Sequence, residues 1–456
     1  MVVLKAAHFA LALALGVTLH APAFSQMVQF AHDDDQWEHD RHPPYAGDGW
    51  LESQGGTPPV AFPSQGVDLR SWIPVGDLDP AATSANDIWG YVSPLGREYA
   101  LIGISNGTAF VEITDPGNAQ LVEMISGPTS SWRDIKTYGE TAYAVSEGGG
   151  GIQVMDLSQI DTGVVSLVNT VTTGGRLSSH DVAVNTESGM LYRAGGGGSN
   201  PVQGLRIYSL ANPSLPVFVG EWNDRYCHDA QVVTWTEAPY VGVEVAFCYA
   251  NDTSVSGNPG IEILDVSDPQ NVTTMGSINL SVAPIFSHPA LYSHQGWLST
   301  DRQHIYFNDE VDEGSFGTPT TTRIIDISDL SNPTQVGTFT NGNTARDHNL
   351  FTHGNRIFEA NYRSGLRVFD ATNALYPTEI AYFDTYPAND QASYNGLWGV
   401  YPYFPSGAIV GSDIESGLFV WTMAASTPVP SSTGVGLVAA VLALAAVGVS
   451  QFRRGR

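Results

Sequence analysis

Residues 261–278 read IEILDVSDPQNVTTMGSI: a short β-rich run closing on Asp265, a turn carrying Asp-Pro, and a second β-rich run. The same phrase stands at 110–125, FVEITDPGNAQLVEMI, and at 322–339, TTRIIDISDLSNPTQVGTF without its first Thr. Its first half recurs seven times, as FVEIT ending at Thr114, IQVMD at Asp156, LRIYS at Ser209, IEILD at Asp265, TRIID at Asp326, LRVFD at Asp370 and LFVWT at Thr422, at intervals of 42 to 61 residues. The last copy has no second run after it. A matching piece, GVDLRSWIPVGDL (66–78), stands alone before the first copy and can supply the missing strand.

A second series precedes each copy. Its first members are Asn86, Arg133, His180, His228, His294, His348 and Asn395, at intervals of 47, 47, 48, 66, 54 and 47. Two seven-member series interleaved in fixed order fit four-stranded units of about 40–50 residues. The longest interval is absorbed by the stretch at 250–260 and by the segment between Leu280 and Tyr292. The expected fold is therefore all-β, a seven-bladed β-propeller over residues 64–425. Its N-terminal strand closes the last blade, which removes the free edge of an open array. A β-helix or a sandwich accounts less well for a sevenfold pattern.

The ends read differently. Residues 1–25 place Lys5 ahead of an apolar run that finishes in small residues, the order of a cleavable signal peptide, with cleavage after Ala23 or Ser25. Residues 26–63 hold a His/Asp tract, His32-Asp-Asp-Asp35 and Glu38-His-Asp-Arg-His42, then a Pro/Gly-rich stretch, and read as a disordered spacer able to scavenge metal weakly. A linker at 426–433 leads to the uncharged run Gly434 to Ser450 and to Arg453, Arg454 and Arg456, so 434–456 is read as a C-terminal transmembrane anchor. The arginines would stay cytoplasmic, which leaves the body exported, at the cell surface or in a periplasm.

With Lys+Arg 19 against Asp+Glu 46, the net charge of −27 opposes nucleic acid and anionic lipid over most of the surface. Divalent cations are easier to accommodate. Cys227 and Cys248 fall on what read as neighbouring strands and, in an oxidising compartment, are expected to pair; two inert buried thiols or a metal pair are the alternatives. No Gly-x-Ser-x-Gly, His-Glu-x-x-His or Cys-x-x-Cys motif occurs, which removes the common sequence arguments for a serine hydrolase, a zincin or a thiol oxidoreductase.

The repeated phrases resemble the LVIVD repeat. Longer segments, among them YALIGISNGTAFVEITDP (99–116), SSWRDIKTYGETAYAVSE (130–147), DHNLF (347–351) and NYRSGLRVFD (361–370), are similar to the choice-of-anchor B family. That resemblance spans about Gln65 to Trp421 and implies a surface or periplasmic propeller on an exchangeable anchor, with no catalytic residues to carry over. The tail resembles the PEP-CTERM type of sorting signal, with Pro-Ser-Ser (430–432) in place of Pro-Glu-Pro.

In a propeller the innermost strands line a central channel, so His180, His228, His294 and His348, with Asp181, Asp229 and Asp347 beside them, could converge as ligands for a divalent metal such as zinc or manganese. Three ligands with an open position could also activate water. The ordinary reading is structural: His and Asp at blade starts tie each blade to its neighbour through loop backbone. Asp309, Glu310, Asp312 and Glu313 could hold calcium, although a solvated acidic loop explains them as simply. Trp89, Trp132, Trp297, Trp398, Tyr401 and Arg133 surround the series and could line a sugar or peptide site or pack between blades. The sequence thus points to a monomeric binding scaffold for a protein, peptide or glycan, held at a membrane through its C-terminal helix. A metal-dependent hydrolase on the channel histidines is the rival.

Overall fold

The computed structural model of the chain describes residues 41–196, 203–252, 258–281 and 289–425. The expected signal peptide at 1–25, the tract at 26–40, the linker at 426–433 and the expected anchor at 434–456 lie outside the described residues. Among the described residues no helix is long and apolar enough to cross a membrane.

Alternating, β-branched and aromatic runs separated by Gly, Asp-Pro and Asn-Pro turns form seven antiparallel sheets. Blade 1 runs outward through Ala85–Val92, Glu98–Ile104, Gly107–Glu112 and Gln120–Ser126. Five further blades repeat this order along the chain. The inner strands are Ala85–Val92, Arg133–Tyr138, Asp181–Asn185, Tyr226–Thr234, Gln295–Leu298, Asn349–His353 and Leu397–Tyr401. Each touches the inner strand of the next blade and the seventh touches the first, so the ring is closed.

Closure uses both ends of the body. In blade 7, Val67–Ile73 pairs antiparallel with Gly417–Met423, in the register Trp72↔Phe419 and Asp68↔Thr422. The isolated N-terminal repeat piece is thus the outer strand that the last copy lacks. Residues 41–63, expected to be disordered, instead pack against the body, largely on blades 6 and 7, with Ser53 reaching Asn118 of blade 1. Trp50–Leu51 adds a fifth strand outside Val67–Ile73, Ser64–Gln65 adds one to blade 6, and the Phe62 ring sits 5.2 Å from Trp72 and 5.3 Å from Phe383. The cause is aromatic content, since Tyr45 and Phe62 bury their rings against Trp72.

One irregularity repeats in every blade. Opposite the seven phrases the outer strand carries one extra residue, at Val122, Val168, Val219, Met275, Val336, Ile380 and, in the closing strand, Arg70. Such bulges bend and twist the strand away from its neighbour. They protect the outer edge of each blade from pairing with another chain.

Neighbouring blades are clasped by side chains of the inner strands. Asp134 Oδ2 accepts from Val182 N at 2.7 Å, Asp181 Oδ2 from Ala230 N at 3.2 Å, Gln231 Oε1 from Leu298 N at 2.9 Å and Gln295 Oε1 from Leu350 N at 3.0 Å. Buried backbone donors that the sheet leaves over are satisfied this way. In blade 4 a disulfide joins Cys227 and Cys248 on adjacent strands, with Cα atoms 5.5 Å apart.

Candidate metal centre

Each inner strand begins on the same face of the ring, and each second strand returns to that face. The first-strand series delivers four imidazoles to it from blades 3 to 6: His180 at the start of Asp181–Asn185, His228 within Tyr226–Thr234, His294 before Gln295–Leu298 and His348 before Asn349–His353. Their rings follow one another around the channel with centroids 4.0, 4.7 and 4.5 Å apart. Gly195 permits the first of these approaches: at φ +58, a Cβ there would stand 2.9 Å from both His180 Cβ and the His228 carbonyl.

Two sets of three ligand atoms lie within 4.8 Å of one another among the described residues, His180 with His228 and His294, and His294 with Glu310 and His348. Glu310 reaches Nε2 of His294 and Nε2 of His348, each at 3.7 Å. It is itself positioned by the Tyr362 hydroxyl, which donates to Oε1 at 2.5 Å, and by Arg346 Nη1, which donates to its carbonyl.

The orientation of the rings is set from behind. His228 Nδ1 lies 3.1 Å from the His294 carbonyl, His348 Nδ1 lies 2.6 Å from the Trp398 carbonyl, and His180 Nδ1 lies 2.7 Å from Glu147 Oε1. All three contacts cross from one blade to the next, so the structural tether expected of these residues is present. The same contacts fix the proton on Nδ1 and make Nε2 the nitrogen able to ligate an ion, the arrangement of metal-binding histidines generally. Burial, followed by the neighbouring His348 and His180, holds His294 well below the ordinary histidine value, and burial pushes His348 down to about 3. Both rings are therefore neutral at physiological pH, the form that binds metal.

Asp181, Asp229 and Asp347 do not join these sets. Successive side chains of a strand point to opposite sides, so an Asp next to a channel His turns away from it. Asp181 clasps blade 4 through Ala230 N, and Asp181 and Asp229 line a cavity whose walls also carry His180, His348, Asp134 and Lys136. Lys136 Nζ lies 2.5 Å from Asp134 Oδ1 and 4.6 Å from the centre of the Trp89 ring. Burial alone would pull this ammonium down, but Asp134, Asp87 and Asp181 outweigh it and hold Lys136 above its usual value. The flanking aromatics pack between blades: Trp89 stands edge-on to Tyr401 at 5.0 Å and Trp297 to Phe351 at 4.8 Å.

The acidic run after His304–Asn308 is not a solvated loop. Asp309 and Asp312 are wholly buried and Glu313 is 2% exposed, because the short helix Asp312–Phe316 folds inward against Arg323, whose Nη2 lies 3.3 Å from Asp312 Oδ2. Burial pushes Glu313 up to about 8. Between the usual glutamate value and pH 8 the folded chain therefore keeps a proton that the unfolded chain has lost, and stability falls as pH rises through that window. Glu313→Gln has no such proton to lose. It is expected to match the wild type at pH 5 and to exceed it by about 2 kcal/mol at pH 8.5, read by urea unfolding at both pH values.

Two carboxylates of this centre, Glu147 and Glu310, lie outside the first-strand series. Both follow second strands, Thr141–Ser146 and His304–Asn308. The signal that could have found them is topological: a strand antiparallel to the first must end where the first begins.

The fold and this centre define a seven-bladed β-propeller with a histidine-lined channel mouth. The family model for the LVIVD repeat matches residues 323–341, the third and fourth strands of blade 5, and with the seven blades this fits an LVIVD-repeat propeller. No curated protein matches the chain.

Proposed function

We propose that the protein is an exported binding propeller of the choice-of-anchor B kind, carried at a membrane by its C-terminal segment, whose channel mouth holds a transition-metal ion. The observation that carries this reading is the fixing of three imidazoles through Nδ1, with His294 and Glu310 completing two ligand sets within 4.8 Å. Neutral imidazole with carboxylate suits zinc, manganese or iron better than calcium, which takes six or more oxygens. The acidic surface supports a cationic, peptide or glycan partner on a propeller face rather than nucleic acid. Attachment through a sorting tail of the PEP-CTERM type rests on residues 427–456.

A second reading, metal-dependent hydrolysis, is favoured by one feature. Each set supplies three protein ligands, the number that catalytic zinc sites use, whereas structural sites close with four. The test is metal content by mass spectrometry on the full chain, solubilised in detergent and purified without a His-tag, beside the variant with His180, His228, His294 and His348 all changed to Ala. About one equivalent of transition metal is expected in the wild type and under a tenth of that in a variant that still shows the β circular-dichroism spectrum. No metal in either form would reduce the histidines to blade ties, and retention of metal by the variant would move the site elsewhere. Substrate screening belongs to the first outcome alone.

A further inference from the structure

The residue that follows each member of the first-strand series belongs to a second ring around the channel. In blades 1 to 6 these residues are Asp87, Asp134, Asp181, Asp229, Gln295 and Asn349, all lining one cavity, while Gly396 of blade 7 has no side chain to offer. Every one carries an acceptor oxygen, and four are carboxyl groups. Several of these oxygens are used by the fold: Asp134 accepts from Val182 N and Lys136 Nζ, Asp181 from Ala230 N, and Gln295 from Leu350 N. Two others are not. Asp87 Oδ1 and Asn349 Oδ1 have no donor among the described residues, although Asp87 is only 8% exposed and Asn349 9%. A buried acceptor without a donor is destabilising, so both oxygens call for a guest that donates.

The ring already shows which cation it suits. Lys136 Nζ lies 2.5 Å from Asp134 Oδ1, 3.7 Å from Asp87 Oδ2 and 4.6 Å from the centre of the Trp89 ring. A carboxylate on one side and an aromatic face on the other is the combination that binds an ammonium group. The cavity repeats both elements, since Asp181 and Asp229 share its walls with Trp132, Trp297, Trp398 and Phe351. One lysine faces four carboxyl groups, so the balance of charge favours a second cation. A bare metal ion fits the ring less well than the mouth. The close ligand sets among the described residues consist of imidazoles and Glu310 and include none of these carboxylates. An ammonium nitrogen, with N–H···O bonds of about 2.8 Å, bridges oxygens up to about 5.6 Å apart. The space enclosed is about 30 Å³, room for about two water-sized groups, which admits an ammonium head and excludes a sugar ring. We propose that this second ring binds the primary ammonium group of an amine ligand, with Asp87 and Asn349 among its acceptors. The ring site goes beyond the metal reading and stands without it.

The test titrates the full chain in detergent with n-butylammonium chloride at about 0.15 M salt, where attraction to the acidic surface is screened. Tryptophan fluorescence and calorimetry report binding, on protein as purified and after chelator treatment. Saturation at one site is expected in both preparations. 1-Butanol, which is uncharged, and tetramethylammonium, which has no N–H donor, should each bind at least about tenfold more weakly. Asp87→Asn should weaken n-butylammonium about tenfold or more, and Asp268→Asn, at an exposed position, should leave it unchanged. If Asp87→Asn does not fold, the ligand series on wild type decides alone. Nα-acetyl-lysine methylamide and 1,5-diaminopentane distinguish a peptide side chain from a free polyamine as the source, and saturation by either supports the ring. No saturation by any primary ammonium, or equal binding of tetramethylammonium, overturns the proposal. Binding that vanishes with chelator would make the amine a metal ligand, which overturns the ring site and leaves the metal reading intact.

Discussion

Replacing Trp72 by Ala is expected to lower the stability of the body by about 4 kcal/mol, read as a shift in the urea midpoint with little change in slope. The residue sits in the closing strand, 1% exposed, with its ring parallel to Phe419 at 5.5 Å, edge-on to Phe62 at 5.2 Å and 4.7 Å from Tyr45. Its Nε1 donates to the Ser416 carbonyl at 2.7 Å, a bond that spans the two ends of the ring. Truncation therefore removes a large apolar side chain and leaves a buried acceptor without its donor. Since Phe419 stacks in turn on Trp421 at 5.4 Å, the cavity opens in blade 7, where the ring is held by pairing between sequence-distant strands. Leu95→Ala, at a residue 78% exposed in a blade 1 turn, is expected to stay within about 0.5 kcal/mol of wild type. Equal midpoints for the two variants would mean that the seam is not where the ring is closed.

The strand that carries Trp72 was legible in the sequence because a repeat protein displays its own exception. Six phrases continue into a second β-run, one does not, and one run stands alone at 66–78. The bulges were not legible. They are set by a Gly or a small residue after the bulged position in some blades, such as Gly220, Gly276 and Gly337, and by none in others, so no residue type marks all seven. The segment 41–63 was misread because Pro and Gly content argues for disorder, while Tyr45, Trp50 and Phe62, thinly spaced, suffice to anchor it.

Of the residues the sequence singled out for the candidate site, the four imidazoles fall in the two close ligand sets and Asp181, Asp229 and Asp347 do not. Register explains both. The first-strand series marks one position per blade, which is why His180, His228, His294 and His348 come together. Proximity in sequence then suggested Asp181, Asp229 and Asp347, but strand alternation points the residue next to a channel His away from its ring. Glu310 reaches the imidazoles from the end of another strand, and its neighbours turned out to be core. Asp309, for example, accepts from Leu291 N at 2.5 Å and Tyr292 N at 3.2 Å, which no charge count of the loop could show.

Removing the cation beneath that loop is expected to have an effect as large as removing Trp72. Arg323 and Asp312 are both wholly buried, and Arg323→Ala leaves Asp312 and the neighbouring Asp309 without the guanidinium that favours their charged forms. Breaking one side of a buried pair costs about 3–5 kcal/mol, most of it the desolvation of the charge left behind. Burial already raises Asp312, and Glu313 and Asp309 raise it further against the lowering effect of Arg323. Without the arginine these carboxyls take up protons more readily, so the cost should shrink as pH falls from 8 to 5. The double variant Arg323→Met/Asp312→Leu should recover most of the loss, because a well-packed apolar pair replaces a charged one at little cost. A single variant within about 1 kcal/mol of wild type at pH 8 would show that the buried charge is held by something other than Arg323. The helix Asp312–Phe316 begins two residues after Glu310, so the variant also tests the link from core to site. If Glu310 is a ligand, metal affinity should fall in Arg323→Ala and return in the double variant; an affinity that follows neither would separate the buried carboxylates from the metal centre.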